Sequence, residues 1–251
     1  MYASSEKVHF ETQYRNKGFF SPKDIQFTIY DKEIWDFVKK ILLDSRTVVD
    51  LGSGGGTVLY NISKVTTARL TGVDFSDVAA TYLKRIAPQA TILKEDVTET
   101  SLGNGTFDFV VSTMTIEHVD DDKFLKEVVG ILKNGDYFFV TTILRTNNAW
   151  YFYKDRQGRS VLEPTHLREY SSLDSFLKLL DIYGFTILKA KTPRIKFPLV
   201  GPFLKLIFGF FCNEFWNTLP ATKPIEFLRK ISRVPIPGYY AIEVIAQKQE
   251  I

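Results

Sequence analysis

The chain has 251 residues, 45% apolar and 24% charged, enough for one α/β domain with a buried core, or one domain plus an insertion. A formal net charge of +3 is too small to argue for nucleic-acid binding. A single cysteine, Cys212, excludes an intrachain disulfide and fits a reducing compartment. The first twenty residues are polar and charged, without the apolar run of a signal peptide. The most apolar stretch, 197–216, is interrupted by Pro198, Pro202, Lys205 and Glu214, and falls short of the ~18 uninterrupted apolar residues that suggest a spanning helix. The expectation is a cytoplasmic, non-spanning protein.

Residues 1–45 read as a helical cap. A polar lead-in carries Phe10, Tyr14, Phe19 and Phe20, aromatic residues suited either to folding over a ligand or to surface packing. Within Pro22–Leu43, residues Ile34, Phe37, Val38, Ile41 and Leu42 recur at helical spacing. From Arg46 the pattern alternates. Apolar runs suited to buried parallel strands are Thr47–Leu51, Arg69–Val73, Ala90–Lys94, Phe107–Ser112 and Tyr137–Ile143. Between them lie predicted helices at Thr57–Lys64, at Val78–Ile86 after Ser76 and Asp77, and at Phe124–Leu132 after Asp120–Asp122. Strands alternating with helices predict a parallel sheet with helices on both faces.

After Leu144 the rhythm changes. Residues 145–170 form a long polar and aromatic loop without a period, and loops of that length in a compact domain are usually functional or disordered. A helix is predicted from Ser171, which has capping-box spacing to Asp174, and it stops near Gly184. A strand at Phe185–Lys191, an insertion at 192–237 and a last strand within 238–251 complete the chain, so that 46–191 and 238–251 make up the core.

The most informative segment is Val48-Val49-Asp50-Leu51-Gly52-Ser53-Gly54-Gly55-Gly56, at the end of the first strand. Glycines there let the backbone turn sharply and approach a ligand, and the following helix presents free N–H groups. The dinucleotide spacing G-x-G-x-x-G, counted from Gly52, needs glycine where Thr57 stands. Asp50 before the turn would also repel a pyrophosphate, yet attract the ammonium of an amino-acid ligand. Asp74 ends the second strand, about twenty residues on, where a carboxylate can accept ribose hydroxyls. Asp96 follows the third strand, placed to accept from an adenine amino group. Three carboxylates at successive strand ends, with the glycines, fit a zwitterionic nucleoside.

Here the sequence resembles the class I S-adenosylmethionine-dependent methyltransferases, specifically their small-molecule branch. The carriers are Val-Asp-Leu-Gly-Ser-Gly-Gly-Gly (49–56), Gly-Val-Asp-Phe-Ser (72–76), Glu-Asp-Val (95–97), Phe-Asp-Phe-Val-Val-Ser (107–112), Ile-Glu-His-Val (116–119) and Leu-Lys-Asn-Gly-Asp (132–136). The last departs from the family's Pro-Gly-Gly, a change expected to alter only a surface turn. The resemblance implies a Rossmann-like, seven-stranded, mostly parallel sheet with an antiparallel last strand. It implies S-adenosylmethionine as cofactor, leaving S-adenosylhomocysteine as product. Carried over by residue, Asp50, Gly52, Ser53 and Gly54 would contact the methionine part and Asp74 the ribose. Phe75, Asp96 and Val97 would surround the adenine, and Ser112 and Thr113 would line the methionine end.

Methyl transfer needs positioning, and a base only where the nucleophile carries a proton. His166, after the aromatic loop, is the first candidate for base or acceptor-orienting residue, because histidine is readily poised near neutrality; a loop-anchoring role is the alternative. His118 is the second, with a structural or cofactor-lining role as its alternative. Tyr151, Tyr153, Glu169 and Tyr170 are candidate acceptor contacts. Three histidines far apart and one cysteine give no metal-site spacing, so no metal is expected.

Between Lys189 and Arg233 nine basic residues face two acidic ones, a local +7. The same stretch holds Phe197, Phe203, Phe208, Phe210, Phe211, Phe215 and Trp216. That pattern suits either a lid or homodimer contact, or an interfacial helix through 197–216 at an anionic membrane. The acceptor expected is a sugar or lipid-linked saccharide, methylated on oxygen. A quinone or lipid ring is the alternative, and a catalytically silent cofactor-binding module is the alternative outside enzymes.

Overall fold

A strand covered on both faces must be apolar throughout, and β1 (Thr47–Leu51) is buried at all five positions. The computed structural model describes residues 11–12, 31–151, 153–154, 158–198 and 233–250. The parallel part of its main sheet comprises β1, β2 (Arg69–Val73), β3 (Thr91–Leu93), β4 (Phe107–Thr113) and β5 (Leu132–Arg145). A small hairpin, β6 (Tyr153–Lys154) and β7 (Ser160–Val161), lies in the long loop, followed by β8 (Phe185–Lys191), β9 (Arg194–Pro198) and β10 (Arg233–Lys248). The helices are α1 (Lys32–Asp44), α2 (Thr57–Ile62), α3 (Asp77–Ile86), α4 (Asp121–Ile131) and α5 (Leu173–Ile182).

The main sheet runs β3-β2-β1-β4-β5-β10-β8, with β9 also paired to β10. β1 to β5 are mutually parallel, whereas β10 is antiparallel to β5, β8 and β9. This is the expected Rossmann-like methyltransferase fold, with one strand more than the seven anticipated. The period-two alternation of the strands divides the core between two faces. Val49, Val110, Phe138 and Val244 face α4 and α5, while Val48, Phe109, Phe139 and Ile245 face α1, α2 and α3.

The helix starts follow their caps. Asp31 accepts from Glu33 N and Ile34 N, Ser76 from Ala79 N, and Asp120 from Lys123 N. Asp31's own amide is held at 3.1 Å by Glu243, buried on β10, which fixes α1 to the sheet. The predicted part of that helix before Asp31, the aromatic lead-in and residues 199–232 lie outside the described residues.

Four details differ from expectation. Helix α5 is capped by Ser172 rather than Ser171, because Tyr170 is still bridged to Leu144 as a strand-like pair. Residues 132–136 form a bulged start to β5 instead of a surface turn. There the pairing slips between Phe107 and Phe109, and Gly135 takes a left-handed φ of 79°. β10 begins at Arg233, ahead of the expected stretch 238–251. Among the described residues Pro235 pairs with Lys196 of β9 alone, on the sheet's edge, and Pro237 falls in the register shift between Pro235 and Tyr240, two places where a proline is tolerated. Both ends of the 192–237 insertion are therefore sheet, and the stretch 199–232 between them is undescribed. Lys189 and Lys191 of the basic stretch also pair with Glu33 of α1, at 3.3 and 3.0 Å.

Candidate active site

Parallel strands deliver their C-terminal ends to one edge, and the glycine turn lies there. Asp50, fourth in β1, is fully buried, and neither of its carboxylate oxygens has a hydrogen-bond partner. Burial, reinforced by the Asp74 carboxylate, pushes its pKa up to about 8. The Ser53 hydroxyl is likewise buried and unpartnered. Asp74 is buried too, but accepts from Gly54 N at 2.8 Å and Ser76 N at 2.9 Å. Burial outweighs those two amides and raises its pKa to about 6. Each Asp74 oxygen keeps capacity for a further donor. Asp96 uses Oδ1 to accept from the Thr98 amide and hydroxyl, at 2.9 and 2.7 Å. Val97 is buried and Phe75 half-buried. Ser112 is spent structurally: its hydroxyl donates to the Leu51 carbonyl at 2.8 Å, tying β4 to β1. Thr113 ends β4, half-buried.

Glycine at position 52 is required twice over. Its φ is +79°, and a Cβ there would stand 2.2 Å from Thr115 Oγ1 and 2.6 Å from Thr115 Cγ2. The turn is thus packed directly on the segment that follows β4. Gly52→Ala is expected to lower thermal stability by roughly 2 kcal/mol, about 5 °C in Tm. Adding Thr115→Ala, which removes the two closest atoms, should recover part of that loss in a scanning-fluorimetry comparison.

The segment after β4 carries a second polar group. Met114 has a left-handed φ of 52°, the single non-glycine residue with positive φ among the described residues, and such strain clusters at functional sites. It leads into a 3-10 turn, Ile116–His118. Glu117 in that turn is fully buried; its Oε2 accepts from Thr142 Oγ1 at 2.9 Å, and its Oε1 has no partner. Burial lifts the Glu117 pKa to about 7. The Glu117 carbonyl receives the amides of Leu167 and Arg168, at 2.8 and 3.3 Å, docking the end of the long loop onto the turn.

That docking brings His166 against His118, their rings edge to face with centroids 4.7 Å apart. His118 Nδ1 lies 3.3 Å from the Thr165 carbonyl, and His166 Nδ1 lies 2.8 Å from Glu169 Oε1. Glu169 also accepts from Leu162 N at 2.8 Å, with Arg145 Nε at 3.6 Å from its other oxygen. The histidines are therefore not far apart, as their separation in the chain had suggested. One donor atom from each of Glu117, His118 and His166 lies within 4.8 Å of the others, a proximity that spacing along the chain did not indicate.

The remaining candidates divide. Tyr151 joins an apolar cluster with Met114, Leu162, Tyr239, Ile195 and Ile236. Burial pushes its hydroxyl pKa up to about 12. Tyr153 is half-exposed, edge to face with Tyr151 at 5.7 Å. Tyr170 turns its hydroxyl to Asp121, 3.4 Å away, and its ring to Phe176. Sequence reasoning missed Glu117, Thr142 and Met114. A carboxylate between Ile116 and His118, just past the end of a buried strand, was the available signal for the first; the other two carry none.

With this geometry in hand, the family described as "Methyltransferase domain" matches residues 49–140. The matched span begins just ahead of Asp50 and includes the glycine turn, Asp74, Asp96 and the 3-10 turn. Over residues 49–140 the chain is similar to that domain. A ubiquinone biosynthesis O-methyltransferase of Rhizobium leguminosarum bv. trifolii is 30% identical over 112 residues, covering 43% of this chain and 44% of that protein. The match thus spans less than half the length of that relative. A solved structure from Galdieria sulphuraria, provisionally assigned as a sarcosine dimethylglycine methyltransferase, superposes with TM-score 0.64 at 15% identity over 98% of this chain and 99% of that one. Geranyl diphosphate C-methyltransferase from Streptomyces coelicolor A3(2), solved with Mg2+, geranyl-S-thiolodiphosphate and S-adenosyl-L-homocysteine, gives TM-score 0.54 at 15% identity over 85% and 74%.

The cofactor of the methyltransferase domain is S-adenosylmethionine, and the residues present fit it. A buried carboxylate without donors and a neighbouring unpartnered hydroxyl are what the ammonium of such a ligand would satisfy. The methyltransferase domain contributes no crossing segment among the described residues: no described helix is long and apolar enough to span a membrane. The 199–216 part of the suggested membrane or dimer contact lies outside the described residues.

Proposed function

We propose that this chain transfers the methyl group of S-adenosylmethionine to a hydroxyl of a small-molecule acceptor, most favourably a hydroxylated ring on a lipid. The observation that carries this is contiguity. Thr115 packs on Gly52 of the cofactor turn and opens the 3-10 turn that holds Glu117 and His118.

The cofactor, when bound, supplies an electrophilic methyl group on a sulfonium. Asp50 neutralises its ammonium, Asp74 and Asp96 accept from ribose and adenine, and Phe75 and Val97 flank the base. On the acceptor side, the Glu169 carboxylate fixes the proton of His166 on Nδ1, leaving Nε2 to accept from and orient an acceptor hydroxyl. His118, anchored by Thr165, stands beside it. The cluster of Met114, Tyr151, Leu162 and Tyr239 offers an apolar wall for a ring. Support for a ring comes from the Rhizobium relative, a ubiquinone biosynthesis O-methyltransferase. The sugar acceptor suggested at first has no such support.

The test is acceptor-dependent formation of S-adenosylhomocysteine. Catechol- and quinol-bearing lipids should raise it at least tenfold over background, whereas sugar acceptors should not. Cofactor binding without turnover on any acceptor would make the chain a silent binding module.

A further inference from the structure

We propose that Glu117, His118 and His166 form a binding site for a divalent metal ion of the zinc class. The proposal rests on the reading of this cluster as the acceptor end of the site, and it adds a ligand that the reading does not require.

Three observations carry it. First, two imidazoles and a carboxylate converge: one donor atom from each lies within 4.8 Å of the others. Ions with Zn–N and Zn–O bonds near 2.0–2.1 Å need such donors somewhat over 3 Å apart, a distance that small rotamer changes supply. Second, Glu117 is fully buried and its Oε1 has no hydrogen-bond partner, while Thr142 anchors its other oxygen at 2.9 Å. An unpaired carboxylate oxygen without solvent is costly, and a cation beside the two histidines relieves it. Third, the outer contacts are those that prepare histidines for metal. His118 Nδ1 faces the Thr165 carbonyl at 3.3 Å and His166 Nδ1 faces Glu169 at 2.8 Å. The carboxylate on His166 Nδ1 holds the ring proton there and turns the Nε2 lone pair to a metal, and Thr165 anchors His118 Nδ1 through its carbonyl and, at 3.2 Å, its hydroxyl, as outer groups do for ligating histidines.

Two nitrogens and one oxygen suit zinc or cobalt better than magnesium, which prefers all-oxygen shells. Three protein donors leave the fourth position of a tetrahedral ion to water or to the acceptor's hydroxyl. A cation there would orient that hydroxyl in place of the His166 lone pair.

The experiment uses the full chain stripped of metal with a chelator, then titrated with Zn2+ by calorimetry and with Co2+ by visible absorption. One ion per chain should bind with micromolar or tighter affinity, giving the d–d bands of a four- or five-coordinate cobalt site and a raised Tm. His9→Gln with Cys212→Ser removes the remaining histidine and the cysteine and should leave binding intact. Glu117→Gln and His166→Ala should each weaken binding at least tenfold, and Glu169→Gln by roughly tenfold. Absence of stoichiometric Zn2+ binding, or binding unchanged in Glu117→Gln and His166→Ala, overturns the proposal. S-adenosylmethionine titrated into the same metal-free protein separates the two readings. Cofactor binding without zinc binding removes the metal site alone, whereas absence of cofactor binding removes the methyltransferase reading whatever the metal does.

Discussion

Asp50→Asn should weaken S-adenosylmethionine binding roughly 30- to 100-fold and, at the same time, raise the Tm of the ligand-free protein. Both effects come from one buried carboxylate without donors. Its folded-state pKa, about 8, stands above the ordinary aspartate value of 3.8. The folded state therefore holds the proton more tightly than the unfolded chain, and stability falls as pH rises from about 4 to about 8. At pH 7.5 most of that penalty is present. Replacing the acid with an amide abolishes it, although the amide brings unsatisfied groups of its own. One pH unit of such a shift corresponds to about 1.4 kcal/mol, so a gain of about 3 °C or more is expected by scanning fluorimetry.

Binding inverts the sign. The cofactor's α-amino group, with an ordinary pKa near 7.7–8.0, recognises the ionised form of Asp50. Between pH 6 and 7 the dissociation constant should therefore fall about tenfold. Calorimetry in buffers of different ionisation enthalpy should show close to one proton released per cofactor at pH 7. Asp74, with a pKa of about 6, is already ionised there, so the proton belongs to Asp50 and should vanish in Asp50→Asn. A pH-independent affinity in the parent protein would contradict the assignment.

His166→Ala should lower kcat by roughly 100-fold or more, within the usual range for losing a proton-accepting or orienting group, while the cofactor's dissociation constant stays within about twofold. The separation follows from geometry. His166 comes from the loop docked on Glu117 and His118, whereas the cofactor carboxylates sit at the ends of β1, β2 and β3. Glu169→Gln should cost less, roughly tenfold in kcat, because the amide can still accept from Nδ1 but no longer fixes the charge beside it. Parallel loss of cofactor affinity in His166→Ala would place the histidine in the wrong half of the site.

The glycine turn and the carboxylates of the proposed cofactor half were legible as a local arrangement because each part is local. A strand, a glycine turn and a helix start are consecutive in sequence, and the parallel topology repeats that unit so that Asp50, Asp74 and Asp96 reach one edge. The caps Ser76 and Asp120 were readable for the same reason, since the hydrogen bond that defines a cap spans only three residues. The N-terminal boundary of β10 was not. Pro235 and Pro237 argue against a strand until the pairing shows Pro235 set against β9 at the edge and Pro237 in a register shift.

The sequence by itself determined the class of fold, the glycine turn and the three acids at successive strand ends on which the proposed cofactor site is built, because those depend on spacing along the chain. Only the tertiary structure decided the acceptor end. Glu117 is buried and half unpaired because the loop that ends at Tyr170 folds back onto the 3-10 turn, and His166 meets His118 through that same docking. No periodicity encodes such a contact. It arises when two backbone amides find a carbonyl across a long loop.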